Sequence, residues 1–183
     1  GFFWNSQGGD RKYNASSLEK WLKKFFTTGV FWGDCEVTVG GGMNVIMTGG
    51  YANINGKSVV FEESQTLSLA TAPSSNSRID TIVIERNDNN REFTAHVVTG
   101  VPAANPTPVA PIQTDSIYQI VVAEVYVSAG MSVITAEDIV DKREDASVCG
   151  IIQCTVNNFA YGTADLIPGV SELESGTFYF MYE

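Results

Sequence analysis

His96 is the only histidine, so any Ser-His-Asp or Cys-His nucleophile system would have to use it. Within the run Arg91 to Val98, alternation puts His96 with Glu92 and Thr94 on one side of a strand, opposite Phe93, Ala95 and Val97. That side reads as solvent-facing, and a surface histidine is expected. Paired carboxylates could cleave a glycosidic bond. The candidates are Asp34, Glu36, Glu62, Glu63, Glu137 and Asp138. Glu62 and Glu63 are neighbours at a strand end, where alternation points them apart. Glu137 and Asp138 follow Thr135 as the first turn of a short helix, where acids offset the helix dipole. Neither pair is placed for catalysis, and no enzyme activity, metal or cofactor is expected.

The three cysteines, Cys35, Cys149 and Cys154, form no Cys-x-x-Cys pair and match no usual zinc spacing. Reduced thiols, buried or partly buried, are the favoured reading. A Cys149–Cys154 bridge would close a small loop and stabilise little. Asn87 to Asn90 lacks the bidentate glutamate of a calcium loop and reads as a hairpin turn. Gly40-Gly41-Gly42 is followed by neither Lys-Ser/Thr nor a helix, so it is no phosphate loop. Arg78, Asp80, Arg86, Asp141 and Arg143 are the charges best placed to pair. Ordinary intrachain pairs or solvated charges are favoured over a subunit-interface set, each worth about 0–1 kcal/mol. Exposed aromatics could stack on sugar: Phe2, Phe3, Trp4, Trp32, Tyr161, Phe178 and Tyr179. Most lie towards the chain ends, which favours an interface. Phe2, Phe3, Trp4, Phe178 and Tyr179 are the interface candidates.

The chain that must position these residues has 183 residues, 44% hydrophobic and 17% charged, and a net charge of −10. Acids outnumber bases 21 to 11 with no basic cluster, which argues against nucleic acid and anionic membrane as partners. The apolar runs are too short to span a bilayer, and no signal peptide is expected. Abundant Val, Thr, Ile, Ser and Gly point to sheets and turns.

Residues 1–14 read as an extended arm that Tyr13 could anchor. One amphipathic helix is expected over Ser17 to Thr28, with Ser16 and Glu19 as a capping box and Leu18, Trp21, Leu22, Phe25 and Phe26 as its apolar stripe. Gly29 ends it. Strands follow at Cys35 to Val39, Met43 to Thr48, Tyr51 to Ile54 and Lys57 to Glu62, the last two joined by the hairpin signal Asn55-Gly56. Further strands are expected at Thr66 to Ala70, Arg78 to Arg86, Arg91 to Val98 and Tyr118 to Val127, the last with both faces apolar and therefore central. Gly100 to Pro111 holds four of the six prolines and reads as an extended loop. Thr177 to Tyr182 reads as a terminal strand.

The expected fold class is mainly β: an antiparallel β-sandwich-like domain with one N-terminal amphipathic helix and a short C-terminal β appendage. The expected division is an arm over 1–14, a helix plus β-rich domain over 15–152, and an appendage over 153–183. About 30 residues cannot bury a core alone, so the appendage should pack on the body or on a neighbouring subunit.

Several segments, taken together, resemble a known family. They are Tyr13-Asn14 before the helix, Gly42-Met43-Asn44-Val45, Ala52-Asn53-Ile54-Asn55-Gly56, and Arg78-Ile79-Asp80 through Arg86. Gly100-Val101-Pro102-Ala103, Val122-Ala123-Glu124-Val125-Tyr126-Val127, Ile139-Val140-Asp141-Lys142-Arg143 and Val148-Cys149-Gly150-Ile151 complete the string. In order and spacing this string resembles the tail-tip (baseplate) structural proteins of siphophages and prophages of Gram-positive hosts, of the upper-baseplate or receptor-binding-adaptor type. It covers roughly residues 13–152. The resemblance implies a non-enzymatic virion component, made in the bacterial cytoplasm and assembled into the tail tip. It also implies a homo-oligomer, best expected as a trimer, with other tail proteins as partners. Carbohydrate recognition on a host surface is the alternative, and a tail-associated glycoside hydrolase the third reading.

Overall fold

A computed structural model describes residues 15–154, 159–162 and 178–181. The chain divides into two compact units, Gly1–Gln153 and Cys154–Glu183. The arm over 1–14 lies outside the described residues.

In the first unit, α1 (Ala15–Leu22) precedes β1 (Gly29–Val30), β2 (Val37–Gly41), β3 (Asn44–Met47), β4 (Gly50–Ile54), β5 (Lys57–Phe61) and β6 (Gln65–Ser68). Then come β7 (Arg78–Asn87), β8 (Glu92–Val98), β9 (Ile117–Val127), a single 3-10 turn at Ala136–Asp138, and β10 (Ile139–Asp141). These strands make two three-stranded sheets, ordered β1-β4-β5 and β2-β3-β6, and one four-stranded sheet, ordered β10-β9-β7-β8. All pairings within them are antiparallel. The body is mainly β, in a sandwich-like arrangement, as its composition and alternation predict.

Alternation along β7 explains the layering. Ile82 and Ile84 share one face with Ala123 and Ile120 of β9, and with Val97 and Ala95 of β8. That face joins Val30, Val45, Met47, Ala52 and Ile54 of the small sheets in one core. Each fully buried Val or Ile there contributes about 1.5–3 kcal/mol. β9 is central, as its two apolar faces predict. A bulge between Ile82 and Val83 sets Val122 of β9 out of register, and Val83 and Val121 are buried too.

The hairpins follow their turn chemistry. Asn55 and Gly56 both have positive φ, 54° and 84°, as the tight turn between β4 and β5 requires. Asn87 accepts hydrogen bonds on Oδ1 from the N–H groups of Asn89 and Asn90, at 3.1 and 3.2 Å. Its side chain therefore closes the β7–β8 turn. The proline-rich loop forms no strand. It is tied at one end by the Ala103 N–H to the Ser77 carbonyl, 3.0 Å, and at the other by the Ile112 N–H to Gln119 Oε1, 2.9 Å.

The helix departs from expectation. It ends at Leu22 rather than Thr28, and it includes Ser16. Thr27 and Thr28 are held outside the helix by tertiary bonds. The Thr27 N–H donates to the Gln153 carbonyl, 3.0 Å, and Thr28 Oγ1 accepts from the Asn55 N–H, 3.0 Å. No residue of α1 is buried; Leu18 is 47% and Trp21 40% exposed. The helix also approaches the body closely along its backbone: a Cβ on Gly56 would lie 2.3 Å from the Glu19 carbonyl oxygen.

In the second unit, β11 (Phe159–Gly162) and β12 (Phe178–Met181) pair in parallel, with Phe159 opposite Phe178 and Ala160 opposite Tyr179.

Candidate functional site

The paired charges turn out to be internal fastenings. Arg78 and Asp80 sit on the core face of β7, 3% and 0% exposed. Arg78 donates from Nε to Asp80 Oδ1 at 2.8 Å and from Nη2 to Oδ2 at 3.0 Å, a bidentate pair. Its remaining donors reach the carbonyls of Thr71 (2.9 Å) and Ala70 (2.6 Å), and Asp80 Oδ1 also accepts the Gly100 N–H at 2.8 Å. The expectation of surface-grade charge therefore fails for this pair, because segments distant in sequence cover it. Arg143 binds Asp141 through Nε (3.0 Å) and Nη2 (2.6 Å), and donates from Nη1 to the Asp34 carbonyl (2.9 Å). These bonds hold the Asp141 carboxyl below its ordinary range. At the other end of β7, buried Arg86 lies 3.3 Å from Asp88 and 3.8 Å from Glu19, and Lys57 bridges Asp88 (2.7 Å) and Glu19 (3.5 Å). Two cations and two carboxylates thus fasten α1 to the body.

A surface groove of about 590 Å³ opens elsewhere on this unit. Three stretches build it. One wall is the chain around β1, with Thr27, Thr28 and Trp32; another is Gln113 with Tyr118 and Ile120 of β9; the third runs from Glu144 to Gln153. The walls are stitched by backbone. Val30 N–H donates to the Gly150 carbonyl (3.1 Å), Ile152 N–H to the Val30 carbonyl (2.8 Å), and Val121 N–H to the Val148 carbonyl (2.9 Å). This arrangement depends on Gly29, with φ of 149°: a Cβ there would lie 2.1 Å from the Gly150 carbonyl oxygen. The lining mixes buried apolar groups, Ile120 and Cys149, with hydroxyls, amides and the carboxylate of Glu144. Trp32 is 74% exposed. Trp32, Glu144 and Ile151 also line a smaller hollow of about 120 Å³ with Gly33 and Arg143, so they stand between two depressions.

No family model, curated protein or solved structure matches this chain.

The other candidates scatter. His96 lies opposite Val83 on the face of the four-stranded sheet away from the core, partly exposed, with Nε2 3.9 Å from Glu85 Oε2. Glu62 and Glu63 are exposed. Asp34 Oδ2 accepts the Tyr51 N–H at 2.8 Å, and Asp138 Oδ2 accepts the Thr135 N–H (2.8 Å) and hydroxyl (2.7 Å), closing the 3-10 turn. The structure thus does not bring Glu36, Glu62, Glu63 or Glu137 into hydrogen-bonded pairs with these acids. Among the described residues no cluster of three or more His, Cys, Asp or Glu could hold a metal, and no helix is long and apolar enough to cross a membrane. Phe2, Phe3 and Trp4 lie outside the described residues. Phe178 and Tyr179 fall on β12.

All three cysteines are free, Cys35 and Cys149 buried and Cys154 exposed. Burial, first of all, pushes the Cys35 thiol up to about 11 and the Cys149 thiol up to about 12. Thiolate is the reactive form. We therefore expect a disulfide-exchange dye at pH 8 to label Cys154 rapidly in the native chain, and Cys35 and Cys149 only on unfolding. Mass mapping of the modified peptides checks it; prompt native labelling of Cys35 or Cys149 would contradict the burial described.

Proposed function

We propose that the chain is a non-enzymatic structural component of a bacteriophage tail tip or baseplate that mediates subunit assembly. The observation that carries this reading is the ordered string of motifs from Tyr13 to Ile151, which runs through nearly the whole of the first compact unit. Its polar members have structural employment: Arg78, Asp80 and Gly100 form one buried clamp, and Asp141 and Arg143 fasten the chain near Asp34. Residues used this way maintain a scaffold, which suits an architectural part. The proposed setting is the virion, after assembly in the bacterial cytoplasm, with copies of itself, as a trimer, and other tail proteins as partners.

Two measurements test the reading. Immunogold electron microscopy of phage particles from the bacterium carrying the gene should place label at the tail tip; unlabelled particles would refute the assignment. Light scattering over a range of concentrations should give a trimer mass, and a monomer at every concentration would remove the self-assembly part.

A further inference from the structure

We propose that the groove beside Trp32 is a binding site for a neutral saccharide. This site is argued from its own chemistry and does not rest on the architectural reading.

Trp32 presents a large flat apolar surface to water, at 74% exposure, beside a concave site rather than on a convex edge. An indole held this way offers a face for stacking, while its surroundings decide what stacks. Here they are polar and largely uncharged. Gln113, Tyr118, Thr27, Thr28, Ser147 and Gln153 bring amide, phenol and hydroxyl groups around the apolar patch of Ile120 and Ile151. Sugar rings have the matching character, with an apolar C–H face on each ring and hydroxyls around its edge. Among the described residues, Glu144 is the single charged residue lining the larger groove. As an acceptor-only group it can take two hydroxyl hydrogen bonds.

The lining also argues against other ligands. A phosphate or carboxylate would meet Glu144 with no cation among the described residues of the larger groove. In the smaller hollow Arg143 is already committed to Asp141 and the Asp34 carbonyl. A purely apolar ligand would take the Glu144 carboxylate out of water without replacing its hydrogen bonds. The volume of about 590 Å³ lies within the range of small-molecule sites, roughly 300–1,000 Å³. The walls are tied by backbone bonds, so little ordering need accompany binding.

The test uses the full chain and saturation-transfer NMR with an array of neutral oligosaccharides, including N-acetylglucosamine and galactose oligomers; choline chloride serves as a cationic control. At least one neutral saccharide should show ring C–H saturation transfer and shift the tryptophan emission, with millimolar or tighter affinity. Trp32→Ala should weaken that binding at least tenfold while leaving the unfolding midpoint nearly unchanged, because the side chain is mostly exposed. Glu144→Gln should weaken it less. Trp21→Ala should leave it intact. No bound saccharide in the array, binding that survives Trp32→Ala, or a response to choline alone would each overturn the proposal.

Discussion

Asp80→Ala is expected to destabilise the body by about 3–5 kcal/mol, the cost typical of removing one partner from a buried ion pair. The geometry explains why this site belongs in that class. Arg78 is 3% exposed, and its guanidinium has two carboxylate bonds and two carbonyl bonds. Without Asp80 the charge stays, because a guanidinium does not deprotonate. The Gly100 N–H, which donates to Asp80 at 2.8 Å, loses its partner as well. Gly100 would then lose its anchor to β7, and Arg78, which holds the Ala70 and Thr71 carbonyls, would lose the carboxylate that fixes its guanidinium. Urea unfolding of the variant should show a much lower midpoint at pH 7. Arg78→Met should also destabilise, because it leaves the buried Asp80 carboxylate without its cation and the Ala70 and Thr71 carbonyls without their donor. A cost under about 1 kcal/mol for Asp80→Ala would mean that the pair contributes no more than an exposed one.

This pair also marks a limit of what sequence reveals. Period two places Arg78, Asp80, Ile82, Ile84 and Arg86 on one face of β7, and the two isoleucines make that face the core. The strand and the shared face were therefore legible. The cover was not: residues 70–71 and Gly100 close over the pair through contacts that no local pattern encodes. The helix shows the same limit from the other side. The spacing from Leu18 to Phe26 is helical, yet Thr27 and Thr28 bond to Gln153, Ile151 and Asn55, and the helix stops at Leu22. Tertiary bonds outweigh helix propensity, which is worth less than about 1 kcal/mol per residue. Trp32 was recognised as one aromatic among several, but the groove needed Gln113 to Ile120 and Glu144 to Gln153 to arrive beside it. Hairpin turns, whose chemistry is local, were read with the least error, at Asn55-Gly56 and at Asn87.

Gly29→Ala is expected to cost about 3 kcal/mol or more, and to damage the groove with it. Two effects combine. A φ of 149° is a conformation that side chains rarely adopt, and such strain costs on the order of 1–3 kcal/mol. In addition, the new Cβ would lie 2.1 Å from the Gly150 carbonyl oxygen. The obstacle is backbone on both sides, so no rotamer change relieves it. Relief requires moving the 150–153 segment away from β1. That movement would strain the Val30-to-Gly150 and Ile152-to-Val30 hydrogen bonds, 3.1 and 2.8 Å, and displace a groove wall. Gly33→Ala makes a suitable comparison. It too has positive φ, 83°, but its Cβ would meet nothing within 4 Å, so its cost should stay near the conformational part alone. Denaturant unfolding gives the two costs, and native hydrogen exchange at Val30 and Ile152 reports the wall. If Gly29→Ala were no more destabilising than Gly33→Ala, close backbone passage would not be what holds this wall in place. Faster exchange at both amides in Gly29→Ala alone would tie the stability of the body to the shape of its groove through a single missing side chain.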